Sequence, residues 1–177
     1  MSHGPRYRVA FRRRRDGVTD YRQRVRLLKS GTPRAVVRFT HRRIVVAVTG
    51  YDAAGDKVLA AADSWELEDV GFPSHSLATT PASYLTGYLA GLRAKAAGAE
   101  SAVLDAGLKV PTAGGRLLGA LKGLLDAGVE IPHGEAQFPS ADRMNGKHLP
   151  HPLPKPLESY KAELPGKVQR GRAGGTA

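Results

Sequence analysis

Four consecutive arginines, Arg12 to Arg15, stand between Arg6 and Arg8 on one side and Arg22, Arg24 and Arg26 on the other; Arg34, Arg38, Arg42 and Arg43 follow. Guanidinium groups at this density recognise closely spaced anions. Their planar fork donates paired hydrogen bonds to phosphate oxygens and base edges, where lysine offers only a point charge. Alone, a four-arginine run reads as a solvated or localisation-type patch. Here Tyr7, Phe11 and Tyr21 are interleaved with it, and aromatic faces stack on unpaired bases at roughly 1–3 kcal/mol each. Tyr21 is open to two readings, base stacking or packing of a short helix.

The charge is one-sided. Residues 1 to 43 hold 14 basic groups, 13 of them arginine, against Asp16 and Asp20, a net of +12; the other 134 residues hold 13 basic and 14 acidic groups, a net of −1. Such a segment repels itself until a polyanion neutralises it. Nucleic acid suits it better than a membrane, because a basic membrane helix needs a bulky apolar face that 20 to 30 meets only in part.

Other chemistries lack their residues. The chain has no cysteine, which removes disulfides, thiolate metal sites and thiol nucleophiles and leads us to expect a reducing, cytoplasmic setting. Ser83 and Ser101 have no histidine in a triad-like motif. His148 and His151 are split by Leu149 and Pro150, and His133 with Glu135 lies in a loop without a third ligand, so no metal is expected. A two-metal nuclease needs carboxylates converging on central strands, and Asp63, Asp105 and Asp126 form no such pattern. Asp105 falls in an apolar strand, where its carboxylate must find a partner. No stretch has the apolar length of a signal peptide core or a membrane span. We expect a soluble non-enzyme with no cofactor and no small-molecule substrate.

The elements that position these residues follow from periodicity. Residues 1 to 19 have no apolar face and read as an arm, mobile when free. Asp20 and Gln23 suggest a capping box for a helix over 20 to 30, with Tyr21, Val25 and Leu28 as its docking stripe and Gly31 as its end. Residues 35 to 39 and 44 to 49 predict a hairpin whose turn, 40 to 43, is itself cationic, and 57 to 63 predict a third antiparallel strand. Phe39 alternates as a buried residue but is also free to stack. A helical turn and loop are expected over 64 to 79. Thr80 as cap and Pro81 at the first turn begin a helix that ends at Gly98, with Gly87 and Gly91 marking close packing. A strand at 101 to 108, a helix at 115 to 127 and a short strand at 129 to 131 complete an α/β fold with a mixed sheet and right-handed crossovers. The turn before Arg116 is either a phosphate-binding helix N-terminus or a plain tight turn. From about 134 onward, proline and glycine forbid an independent core, so this extension is expected to lie on a partner or stay flexible.

Several strings resemble a known family. RYRVAFRRRRDGVTDYRQRVRLLKSGTPRAVVR (6 to 38), YLTGYLAGLRAKAAG (84 to 98), AVLDAGL (102 to 108), RLLGALKGLLDAGVEIPH (116 to 133) and DRMNGKHL (142 to 149) are similar to the archaeal and eukaryotic-type large-subunit ribosomal protein eighteen, the 5S-rRNA-binding protein. The resemblance implies a ribonuclease H-like core, shared with ribosomal protein eleven of the small subunit. It implies a place in the central protuberance, bridging 5S rRNA to large-subunit rRNA near ribosomal protein five of the archaeal subunit. It further implies that the arm and one sheet face hold the RNA. The implied contacts are Arg6, Tyr7, Arg8, Arg12, Arg13, Arg14, Arg15, Tyr21, Arg22 and Arg24, then Arg38, Thr40, His41, Arg42 and Arg43 in the hairpin; Arg116 joins them on its own charge. The loop 39 to 43 departs from the family's usual lysine, serine and asparagine mix. The expected division is a basic arm over 1 to 19, an α/β RNA-binding core over 20 to 133 and an extension over 134 to 177.

Overall fold

The computed structural model describes residues 4–134 and 137–172. Four strands, β1 (Arg34–Phe39), β2 (Ile44–Gly50), β3 (Lys57–Asp63) and β4 (Val103–Asp105), form one sheet in the order β3-β2-β1-β4. The first three run antiparallel to their neighbours and β4 runs parallel to β1, so the sheet is mixed. Alternation along the strands sorts the faces. Ala35, Val37, Ile44, Val46, Val48, Ala60 and Ala62 are buried on one side, against the long helix spanning Thr80–Ala96, which packs on β2 and β3. The helix at Arg116–Asp126 packs on that long helix in turn. Two shorter helices precede the sheet, so the helices are numbered in chain order: α1 (Arg12–Arg15), α2 (Tyr21–Leu28), α3 (Thr80–Ala96), α4 (Arg116–Asp126), α5 (Ala141–Met144) and α6 (Leu157–Glu163). This is the α/β architecture expected from the pattern.

The α3–α4 contact explains the paired glycines. A Cβ at Gly87 would collide with the backbone of Ala120, and one at Gly91 would lie 2.6 Å from Ala127 Cβ. The helix-propensity cost of these glycines, up to about 1 kcal/mol each, is offset by the backbone approach they permit.

Four expectations change in detail. The cap of α3 is Thr79, not Thr80; its hydroxyl donates to Ser76 O at 2.6 Å, so it does not cap the helix amides. The strand at 101 to 108 shortens to three residues, because the Asp105 carboxylate turns back to accept Gly107 N–H at 2.9 Å and Gly107 takes φ +62°. The strand at 129 to 131 reduces to a single parallel bridge, Ser101 to Glu130. The stripe on α2 does not dock: no α2 residue is fully buried and Val25 is 53% exposed, because the helix faces a polar cleft and not the apolar face of the sheet.

The extension differs most. Leu157, Tyr160 and Leu164 are buried, with Tyr160 edge-on to Phe72 at 5.3 Å between ring centroids. Arg93 on α3 forms a fork with both Glu66 carboxylate oxygens, at 2.9 and 2.6 Å, and also donates to Ala61 O at 2.7 Å and Lys167 O at 3.1 Å. The extension is thus ordered on the chain's own core. Three apolar side chains spaced among prolines find their surface on α3 and, for Tyr160, at Gly71 and Phe72, which local composition cannot reveal. Glu135, considered above beside His133, lies outside the described residues, as do residues 1 to 3 of the arm.

Candidate nucleic-acid interface

The sheet face opposite α3 carries Arg34, Val36, Arg38, Thr49 and Asp105, and α2 stands over it across a cleft of about 580 Å³ that Arg13, Tyr21 and Arg24 also line. Asp20 supplies its half of the expected capping box, accepting from the N–H groups of Arg22 and Gln23 at 2.8 and 3.2 Å. That cap fixes where α2 starts. Tyr21 leads the helix and packs on Phe11 of the arm, with ring centroids 5.1 Å apart.

A chain of ion pairs runs beneath the cleft. Arg34, 3% exposed, donates to Asp105 Oδ2 at 2.8 Å and to Asp56 Oδ2 at 2.5 Å. Asp56 also accepts from Arg24 at 2.9 Å, and Asp105 accepts from Arg38 at 2.9 Å. Burial pushes the Asp105 pKa up, but the hydrogen bond and charge of Arg38, the Gly107 N–H and the Arg34 charge outweigh it and hold the carboxyl below its ordinary value. The partner that Asp105 required is therefore a pair of arginines from β1.

The hairpin tip is shaped by Thr40. Its N–H donates to Arg43 O at 2.9 Å and its hydroxyl accepts from the N–H groups of Arg42 and Arg43 at 3.3 and 3.1 Å. His41 and Arg42 are left exposed at the apex. Arg43 is exposed too, but it pairs with Asp63 at 3.2 Å and lies over the Trp65 ring at 5.1 Å.

The structure divides the predicted residues into two groups. Arg6, Arg8, Arg12, Arg13, Arg14, Arg15, Arg22 and Arg42 are exposed and have no acidic partner among the described residues, although Arg13 Nε donates to Thr19 at 2.8 Å. Tyr7 is half exposed beside them. Arg24, Arg38 and Arg43 are each in an ion pair. Arg116 is occupied differently. Its guanidinium donates to Ala78 O at 3.1 Å and Thr40 O at 3.4 Å and covers the ring of Phe39 at 4.5 Å. The residues before it make a tight turn, with Gly115 N–H donating to Thr112 O at 2.9 Å. Phe39 is partly buried, with Lys109 also over its ring at 5.7 Å.

Sequence reasoning counted charge but missed pairing. Arg34 and Asp105 are 71 positions apart, and only the parallel β1–β4 register brings them together. It also passed over Trp65 and His75 near the hairpin tip. The exposure of the lone tryptophan has no local signature. The candidate nuclease carboxylates are dispersed: Asp63 binds Arg43, Asp105 binds Arg34 and Arg38, and Asp126 accepts from Tyr84 at 2.8 Å. Among the described residues no three histidine or acidic side chains group as metal ligands, and no helix is long and apolar enough to cross a membrane.

Comparison with known proteins agrees with the geometry. The model of the family described as ribosomal large subunit proteins 60S L5 and 50S L18 matches residues 5–98 and 93–134. The large ribosomal subunit protein uL18 of Methanoregula boonei is 52% identical over 149 residues, covering 84% of this chain and 85% of the relative. That of Korarchaeum cryptofilum is 51% identical over the same share of this chain and 76% of its own length. That of Methanococcoides burtonii is 48% identical, covering 86% of its length. A family model that matches residues 5–134 and identities near 50% over 84% of the chain make it a member of the ribosomal large subunit 60S L5 and 50S L18 family, whose members are structural and not enzymes.

Proposed function

We propose that this chain binds 5S rRNA and anchors it to the large rRNA in the central protuberance, beside ribosomal protein five of the archaeal subunit. As a ribosomal protein of the large subunit it works in the cytoplasm. The observation that carries the proposal is that arginines without an acidic partner among the described residues are concentrated in the arm, on α2 and at the hairpin tip, while Arg34, Arg38 and Arg93 in the body are held by carboxylates. In this reading residues 1 to 19 act as the RNA-seeking arm, 20 to 133 as the RNA-binding body, and 134 to 177 as an extension, of which Leu157 to Lys167 brace on α3.

The mechanism is neutralisation followed by fitting. Arg6, Arg8 and Arg12 to Arg15 displace counterions from phosphates; Tyr7 and Tyr21 offer stacking faces; Arg42 and His41 insert at the tip. Thr40 acts by shaping the turn, and Arg116 by bracing it. Arg24, Arg38 and Arg43 reach RNA with the hydrogen bonds their carboxylates leave free. Filter binding of the full chain to 5S rRNA with transfer RNA as competitor tests the reading. Retention of the 5S complex under excess competitor is expected, and equal displacement by both RNAs would reject it.

A further inference from the structure

Beside the hairpin tip lies a second recess, about 470 Å³, lined by His41, Arg42, Trp65, Glu68, Ser74 and His75 among others. Trp65 is the only tryptophan in the chain and is 55% exposed. A single exposed apolar side chain is ordinary. This one stands on a fixed turn. The backbone N–H of Trp65 donates to Asp63 Oδ1 at 3.1 Å, and Glu66 closes the same turn by accepting Asp63 N–H at 2.9 Å. Arg43, anchored by Asp63, covers the ring at 5.1 Å. Across the recess His75 is braced edge-on by His151 of the extension, with centroids 5.4 Å apart. An indole that is 55% exposed in a concave site, with Arg43 over one face and Arg42 at the rim, has the elements of a base-stacking platform: an open π face for the base and cations for the phosphates beside it.

We infer that this recess is a nucleobase site in which an unpaired guanine of the bound RNA stacks on Trp65 and presents its Watson–Crick edge to Glu68. The inference rests on the RNA-binding reading above and adds a point of sequence discrimination to it. The carboxylate directs the choice of base. Glu68 accepts hydrogen bonds and repels phosphate, so it suits the adjacent N1–H and N2–H donors of guanine, which uracil cannot match. Arg42 and Arg43 offset the repulsion by holding the flanking phosphates. The extension, through His151, contributes to an RNA site that composition alone would not assign to it.

Because Trp65 is the only indole, its fluorescence reports on the site alone. Labelled 5S rRNA, an RNA duplex of equal length without unpaired bases, and single-stranded oligomers rich in guanosine or in uridine serve as probes. Anisotropy of the label measures binding and tryptophan emission measures stacking. We expect 5S rRNA and the guanosine-rich oligomer to quench emission in step with binding, and the duplex to bind without quenching. Trp65→Ala should weaken 5S binding by roughly 5- to 150-fold while Trp65→Phe keeps most of it, and Glu68→Gln should erase the preference for guanosine over uridine. Bound 5S rRNA with unchanged emission and an unaffected Trp65→Ala would overturn the site, leave general RNA binding standing, and assign the recess to a protein neighbour. Equal quenching by both oligomers, or an unchanged preference in Glu68→Gln, would overturn the assignment to guanine. No preference of the full chain for 5S rRNA over the duplex in anisotropy would overturn both this inference and the reading beneath it.

Discussion

The arm and the β1–β4 junction are built from the same side chain and use it in opposite ways. In residues 4 to 19, six arginines stand exposed without a carboxylate among the described residues, and Asp16 and Asp20 are their only acidic neighbours in sequence. At the junction, Arg34 and Arg38 share Asp105, and Arg34 and Arg24 share Asp56. The first set repels itself and awaits phosphate. The second is part of the fold. An arginine count therefore overstates the charge offered to RNA, and pairing decides which arginines remain available.

Removing one side of the comparison should leave the other intact. Deleting residues 1 to 19 takes away six arginines but, among the described residues, no buried side chain, so the thermal transition should hold within about 2 °C while 5S affinity at physiological salt falls on the order of 10³-fold. Circular dichroism and filter binding on the same preparation check this; loss of cooperative unfolding would mean that the arm belongs to the core. The mirror experiment is Asp105→Asn, which leaves Arg34 buried with half its compensation. A loss of about 3 kcal/mol in urea unfolding is expected, with little change in RNA affinity once folded.

The hairpin offers a finer contrast. Arg42 is unpaired and Arg43 is paired, so Arg42→Ala should weaken RNA binding by about tenfold, or about 1.4 kcal/mol, and Arg43→Ala by less, as measured by anisotropy at fixed salt. The smallest effect concerns acid. Asp105 and Glu66 both have pKa values held below their ordinary 3.8 and 4.5. For Glu66 burial raises the value, and the Arg93 hydrogen bond, the Asp63 N–H and the Arg93 charge bring it down further. A depressed carboxyl stabilises the fold above its unfolded pKa and loses that contribution as pH falls through the folded value. The melting temperature should thus be flat from pH 7 to about 5 and decline from about pH 4 downward. In Asp105→Asn that decline should be shallower.

How much of this was legible depended on whether the signal was local. The β1–β2 hairpin and α4 were written in alternation and in leucine spacing, because each buries a face that its own period creates, whereas α3, buried on nearly every side, was legible in Pro81 at its start and Gly98 after its end. The closeness of α3 and α4 was legible in Gly87 and Gly91. The cap slipped by one residue because Thr79 and Thr80 are chemically equal and only the Ser76 carbonyl distinguishes them. The burial of Leu157, Tyr160 and Leu164 was hidden, since their partners lie on α3 and at Gly71 and Phe72, remote in sequence. For the site, the arm and tip arginines could be chosen by type. The pairing of Arg34 and Arg38 with Asp105 could not, because it depends on a parallel strand register, and neither could the setting of Trp65 beside His75.

The decisive measurement is the slope of log K against log salt for 5S rRNA, taken for the full chain, the chain lacking residues 1 to 19, and Asp105→Asn. Each phosphate contact contributes about 0.7 to 0.9 to that slope. Loss of the six arm arginines should therefore flatten it by about 4 to 5, whereas Asp105→Asn, which frees only the half-exposed Arg38, should steepen it by no more than about 1. A truncated chain with the slope of the full one would show that the exposed arginines are not what holds the RNA.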